Sequence, residues 1–138
     1  MKIYSCLNCG TEHKWRGVNF ANKYCDNKCQ TEFQYKQYIA EWKQGLQDGM
    51  RGKLQTSDYI RRYILEKQDY KCAICSIDSW CGVPIKLELD HINGNSTDNT
   101  EENLRCLCPN CHSQTPTYKA KNKGNGRKHR HPAPTLCQ

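Results

Sequence analysis

The 138-residue sequence lacks any run of about 18 apolar residues, the length of a membrane-spanning helix, so no membrane association is expected. It also lacks an N-terminal apolar stretch resembling a signal peptide, because residues 1–10 (MKIYSCLNCG) already carry two cysteines. A secreted scaffold held by disulfides is therefore not expected. The eleven cysteines indicate metal binding in a reducing, cytoplasmic environment.

Acidic residues are absent from Ser113 onward, where six basic residues occur. Residues 1–57 contain nine basic and five acidic residues, a net charge of +4, whereas residues 58–112 contain six and nine, a net charge of −3. This distribution is typical of a protein whose ends bind a polyanion while its centre gathers cations. A basic tail that only solubilises the chain is the alternative interpretation.

The N-terminal cysteines form two spaced pairs. Cys6 and Cys9 are followed by fifteen residues and then by Cys25 and Cys29. Residues four apart share a helix face, so the pattern predicts a zinc site between a tight turn and a helix that runs from about Asn27 to about Gln44. The arrangement resembles small treble-clef zinc fingers. Cysteines that serve only as small buried groups are the alternative.

Three glycines between positions 45 and 52 favour a linker over a continuous helix. The next helix is predicted from Asp58 to Gln68, with Ile60 and Ile64 facing inward. The predicted divisions are a zinc-finger module with its helix (1–45), a linker (46–56), a central domain (57–121) and a basic tail (122–138).

A second set of paired cysteines, Cys72 and Cys75 with Cys108 and Cys111, predicts a closed tetrahedral zinc site. About two structural zinc ions are therefore expected in the chain. Three thiols fall outside both sets and are interpreted as spare or weakly bound: Cys81, Cys106 and Cys137.

Between these cysteine pairs, apolar residues alternate from Val83 to Leu89, which predicts a strand that ends at Asp90 and His91. The segment NGNSTDNTEE is rich in turn-forming residues and predicts a loop. A return strand is predicted over Leu104–Leu107, followed by a helix that begins at Pro109 and contains His112.

The segments KCAIC, LELDHINGN and ENLRCLCPNCHSQT resemble the HNH endonucleases of the ββα-metal type, in particular small phage or homing-type members with a zinc-binding scaffold of cysteine pairs. The resemblance covers Asp58 to Lys121. It implies a small zinc-stabilised α+β fold, in which a ββα-metal module follows the treble-clef-like finger and its helix.

His91 is the expected general base, because an imidazole with an ordinary pKa of about 6.5 is largely neutral at pH 7. The resemblance implies that Asp90 and His112 bind a catalytic Mg²⁺ or Mn²⁺, and that Asn103 ties the loop and so orients the base. Each residue also has an ordinary interpretation. Asp90 could be a loop cap, His91 a surface histidine, Asn103 a turn residue and His112 a further zinc ligand. The nearby glutamates are interpreted as solvated charges: Glu88, Glu101 and Glu102.

The expected function is metal-dependent hydrolysis of phosphodiester bonds in double-stranded DNA, by nicking or by cleavage of both strands, in the cytoplasm of a bacterial host if a phage encodes the chain. The alternatives are a zinc-finger nucleic-acid-binding protein with an inactive HNH module and a nuclease of restriction or DNA packaging. The finger could also bind a protein partner. Candidate phosphate contacts are Arg61, Arg62, Lys119, Lys121, Lys123, Arg127, Lys128 and Arg130.

Overall fold

The computed structural model describes residues 1–122. The chain forms two compact units, Met1–Gln47 and a second unit that begins at Asp48. Each unit has its own set of buried apolar side chains. Within the described part of the chain, no helix is long and apolar enough to cross a membrane.

The first unit is a short antiparallel hairpin, Ile3–Ser5 (β1) and Glu12–Lys14 (β2), followed by the helix Asn27–Lys43 (α1). The Asp26 side chain caps this helix by accepting a hydrogen bond from the backbone N–H of Cys29. Three buried residues of α1 recur at helical spacing: Tyr35, Ile39 and Trp42. The helix predicted from Asn27 to about Gln44 is confirmed.

The second unit opens with a small hairpin, Met50–Arg51 (β3) and Gln55–Thr56 (β4), and continues into the helix Asp58–Lys67 (α2). Residues 46–56, which the sequence suggested as a linker, therefore contain paired strands. Gly49 lies just before β3 with φ +76°, a conformation that favours glycine. The helix predicted from Asp58 is confirmed, and Ile60 and Ile64 are buried as expected.

The single strand predicted over residues 83–89 is wrong. The chain instead forms the hairpin Ser79–Trp80 (β5) and Val83–Pro84 (β6), and a separate strand Glu88–His91 (β7). Pro84 has no N–H with which to continue a ladder. The carbonyl of Leu87 accepts a hydrogen bond from the Arg61 guanidinium, 2.7 Å away. Because of these two features, residues 83–89 do not form one continuous strand, although their apolar residues alternate.

The central motif consists of β7, the strand Leu104–Leu107 (β8) and the helix Pro109–Gln114 (α3). The two strands are antiparallel, with Asp90 opposite Arg105 and His91 opposite Leu104. Short 3₁₀ turns precede β8 and follow α3, at Glu101–Asn103 and Lys119–Asn122. The apolar core of the second unit includes Ile60, Ile64, Leu87, Leu104, Cys106 and Leu107. The strand and helix predicted here are confirmed.

Candidate active site and metal centres

Both predicted cysteine sets converge in space. The Sγ atoms of the first set lie within 4.8 Å of one another, and the same holds for the second set. The first set is Cys6, Cys9, Cys25 and Cys29, and the second is Cys72, Cys75, Cys108 and Cys111. Four sulfur ligands at such separations are compatible with tetrahedral structural zinc. The structure therefore supports two zinc-binding scaffolds.

The acidities of the thiols fit cation binding. Burial opposes ionisation of Cys72, but the backbone N–H groups of Cys75, Cys108 and Ile74 outweigh it and lower the pKa to about 6. Conversely, a hydrogen bond with Cys75, together with burial, raises the pKa of Cys111 to about 12. Cys72 therefore ionises easily, whereas repulsion between negative charges opposes the ionisation of further thiols unless a cation neutralises them.

The same contrast occurs in the first unit. The backbone N–H of Cys9 is the main cause that lowers the pKa of Cys6 to about 6. The hydrogen bond with Cys29 raises the pKa of Cys25 to about 12. Both sulfur clusters thus combine thiols whose pKa is lowered with thiols whose pKa is raised.

The second cluster also fixes the start of α3. The Cys108 side chain is the N-cap of this helix and accepts a hydrogen bond from the backbone N–H of Cys111 at 3.4 Å. Pro109 occupies the first helical turn, where its missing N–H costs nothing. His112, one residue after Cys111, therefore has a defined position relative to the strands.

Asp90 and His112 are brought together by β7 and α3. Asp90 Oδ1 lies 3.7 Å from His112 Nε2, and Asp90 is only 5% exposed. Its second oxygen, Oδ2, accepts a hydrogen bond from Arg105 Nε at 2.7 Å. A carboxylate oxygen and an imidazole nitrogen that face each other in this way fit a divalent cation such as Mg²⁺ or Mn²⁺.

Glu88 orients this imidazole. Its carboxylate lies 2.5 Å from His112 Nδ1, on the opposite side of the ring from Asp90. A carboxylate that accepts from Nδ1–H leaves the Nε2 lone pair directed at Asp90 and available to a metal. Glu88, interpreted from the sequence as a solvated charge, is 47% exposed, but it also contacts His112, which was not predicted. His112 likewise faces Asp90 and is not part of the sulfur cluster.

His91, the last residue of β7, is half-buried and directs Nε2 at a second side chain, Asn99. The distance from Nε2 to Asn99 Oδ1 is 2.8 Å. Within residues 1–122, no group is hydrogen-bonded to His91 Nδ1. One ring nitrogen is thus held by the protein while the other is left without a hydrogen-bond partner in that part of the chain.

Asn103 holds the loop that follows β7. Its Oδ1 accepts from the backbone N–H of Asn93 at 2.9 Å, and its Nδ2 donates to the carbonyl of Asp98 at 2.8 Å. The carbonyl of Asn103 also accepts from the N–H of Ile92. These are the side-chain-to-backbone bonds that the resemblance implied for Asn103, whereas the side chain that contacts His91 is Asn99.

Comparison with curated proteins finds a relative, the H-N-H endonuclease F-TflIV of Escherichia phage T5, that is 38% identical over 91 residues. The chain is similar to an HNH endonuclease. The match covers 64% of this chain but only 40% of the relative's length. No protein-family model and no solved structure matches the chain. The resemblance inferred from the HNH motif is confirmed by the curated relative.

Three contacts of this HNH-like site were not predicted from the sequence: those of Glu88, Asn99 and Arg105. A signal for Glu88 exists, because residues two apart on a strand share a face, which places it beside Asp90. Arg105 lies directly opposite Asp90 once the register of β7 and β8 is known. The contact of Asn99 has no such local signal, since it depends on how the loop folds.

The candidate phosphate contacts have varied surroundings. Arg61 donates to Leu87 O, and Arg62 pairs with Glu66 at 2.7 Å. Lys119 lies 5.0 Å from the ring of Tyr118, which packs edge-on against His112. Lys121 donates to Ser113 O. The remaining members lie outside the described residues: Lys123, Arg127, Lys128 and Arg130. The role of all eight candidates in DNA binding stays a prediction.

The spare thiols lie away from both clusters or outside the described residues. Cys106 is fully buried in β8, and burial raises its pKa to about 11, so it is a poor nucleophile. Cys81 is exposed at the tip of the β5–β6 hairpin. Cys137 lies outside the described residues.

Proposed function

We propose that this chain is a metal-dependent DNA endonuclease of the ββα-metal type that hydrolyses phosphodiester bonds. The observation that carries the proposal is the convergence of Asp90 Oδ1 and His112 Nε2 at 3.7 Å, from a strand and a helix, directly beside His91. The relative from phage T5, named as an H-N-H endonuclease, supports the same chemistry.

In this proposal His91 removes the proton from the attacking water through its Nδ1 lone pair. Asp90 and His112 would hold Mg²⁺ or Mn²⁺, which would offset the negative charge that develops on the phosphate and the leaving oxygen. Glu88 and Arg105 fix the two ligand side chains. Asn103 keeps the loop after β7 in place, so that the base is presented at a constant position.

Double-stranded DNA is the proposed substrate. Its phosphates would be held by basic residues, including Lys119 and Lys121 beside α3 and the basic segment that follows them. A homing-type role in a phage is the biological setting we favour, with the first unit as the reader of DNA sequence or as a contact for a protein partner.

The test is cleavage of supercoiled plasmid by the zinc-loaded chain with Mg²⁺ or Mn²⁺. His91→Ala should reduce the cleavage rate by about 10² to 10⁴, because it removes only the general base. Its DNA affinity, measured by fluorescence anisotropy, should stay close to that of the wild type. Open-circular or linear products distinguish nicking from cleavage of both strands.

Two results would contradict the proposal. A His91→Ala variant that cleaves at the wild-type rate rules out His91 as the base. A wild-type chain that binds DNA but does not cut it with either metal is a nucleic-acid-binding protein with an inactive module.

A further inference from the structure

Asn99 is a buried polar residue in the loop between β7 and β8, only 4% exposed. Its Oδ1 accepts from His91 Nε2 at 2.8 Å and from the hydroxyl of Thr56 at 3.1 Å. Its Nδ2 faces the backbone carbonyl of Asp48 at 3.4 Å and the sulfur of Met50 at 2.9 Å. The amide therefore connects the β3–β4 hairpin to the proposed base.

The direction of this amide follows from its neighbours. The carbonyl oxygen of Asp48 can only accept a hydrogen bond, so the side-chain nitrogen of Asn99 must face it. The side-chain oxygen then faces His91, and an amide oxygen cannot donate. Nε2 of His91 must consequently carry the hydrogen, and a neutral imidazole has only one.

Gly49, just before the β3–β4 hairpin, packs closely against Asn99. A Cβ added to Gly49 would lie 2.7 Å from Asn99 Cβ and 2.7 Å from Ile60 Cδ1, too close for any side chain. The carbonyl of Gly49 also accepts from the backbone N–H of Ser57 at 2.8 Å. The hairpin, the start of α2 and Asn99 thus form one packed support behind the base.

We infer that Asn99 is a positioning residue, which holds His91 in the Nε2–H tautomer and so directs the Nδ1 lone pair to the attacking water. The inference rests on the proposed function for its catalytic consequence. The tautomer itself can be measured without DNA or a catalytic metal.

The first experiment is ¹⁵N NMR of the full, zinc-loaded chain labelled at histidine, at a pH where the rings are neutral. His91→Gln assigns the His91 signals among the five histidines by their loss. The wild type should show a protonated Nε2 and an unprotonated Nδ1 at His91, and Asn99→Ala should show a mixture of tautomers. A wild-type ring protonated at Nδ1, or already mixed, overturns the inference.

The second experiment is a double-mutant cycle on plasmid cleavage. Asn99→Ala alone should lower kcat by about 10- to 100-fold with little change in KM, because the base spends less time in the reactive form. In the His91→Ala background the same substitution should lower the residual kcat no further. Equal loss in both backgrounds shows that Asn99 has only a structural role.

Gln68→Ala is the matched control. The Gln68 amide bonds three backbone groups, the O and N of Cys106 at 2.9 Å and 2.8 Å and the O of Lys71 at 2.8 Å, but it does not touch His91. The melting temperature of Gln68→Ala should fall as much as that of Asn99→Ala, while its kcat should stay within about twofold of the wild-type value. A similar loss of kcat in both variants contradicts the inference. If the wild type does not cleave DNA, the proposed function fails, and the NMR result still decides the tautomer.

Discussion

At the scale of single residues, the site depends on which nitrogen of each imidazole carries a hydrogen. Glu88 contacts Nδ1 of His112, whereas Asn99 contacts Nε2 of His91. We therefore infer opposite tautomers for the two neutral rings. One presents Nε2 to the proposed metal and the other presents Nδ1 to the proposed water, so one pair of identical side chains can perform two tasks.

Glu88→Ala should weaken the binding of Mn²⁺ by about 10- to 100-fold, because His112 loses the partner that orients its ring. The affinity can be measured by calorimetry on the zinc-loaded chain without DNA. Glu102→Ala is the control, since Glu102 is an exposed glutamate of the same unit. An unchanged Mn²⁺ affinity in Glu88→Ala would show that the carboxylate does not support the metal site.

Asp90, His91, Asn103 and His112 could be proposed as site residues from the sequence, because they belong to a motif with fixed spacing. Asn99 could not be proposed in this way, because its contacts with His91, Asp48 and Thr56 depend on how the loop packs against residues 48–56. Two-residue strands such as β3 and β5 show no alternation to detect. By contrast, α1 and α2 both begin at a capping side chain and have buried apolar residues at helical spacing, and both helices were predicted.

At the scale of elements, each sulfur cluster joins two segments that are distant in the sequence: residues 6–9 with 25–29, and residues 72–75 with 108–111. Cys72→Ser should lower the zinc content from about two ions to about one and should reduce the melting temperature, because zinc contributes about 10 kcal/mol or more to small domains. Elemental analysis and calorimetry measure both effects. Cys81→Ser is the control, because Cys81 is exposed and belongs to neither cluster. A folded Cys72→Ser protein with two zinc ions would refute the ligand assignment.

At the scale of the whole molecule, the boundary between the units lies between residues 47 and 48, within the segment 46–56 that was predicted as a linker. Removal of residues 1–47 should leave a folded nuclease with reduced affinity and site preference. Removal of residues 1–52 should also lower kcat, because it deletes the hairpin residues that hold Asn99: Asp48, Gly49 and Met50. Comparison of the two truncations by zinc content and cleavage rate tests this boundary. Equal kcat in both would show that the hairpin does not support the base.

The basic segment should act on all DNA sequences alike. Neutralising Lys119 and Lys121 together with the basic residues beyond the described part of the chain should weaken binding to specific and random DNA equally. The slope of log affinity against log salt should fall by about 0.9 for each phosphate that the variant no longer neutralises. Anisotropy titrations across a salt series measure this slope. A weakening confined to one sequence would instead assign base recognition to this segment.

The shortness of α3 sets an order of assembly. A helix of six residues is far below the length of about 12–15 at which isolated helices become even marginal in water, so α3 needs the sulfur cluster at its first turn. We therefore expect His112 to reach Asp90 only after zinc has bound. Zinc occupancy should therefore precede and control affinity for the catalytic ion, and a chain exposed to Mg²⁺ before zinc should stay inactive until zinc is supplied.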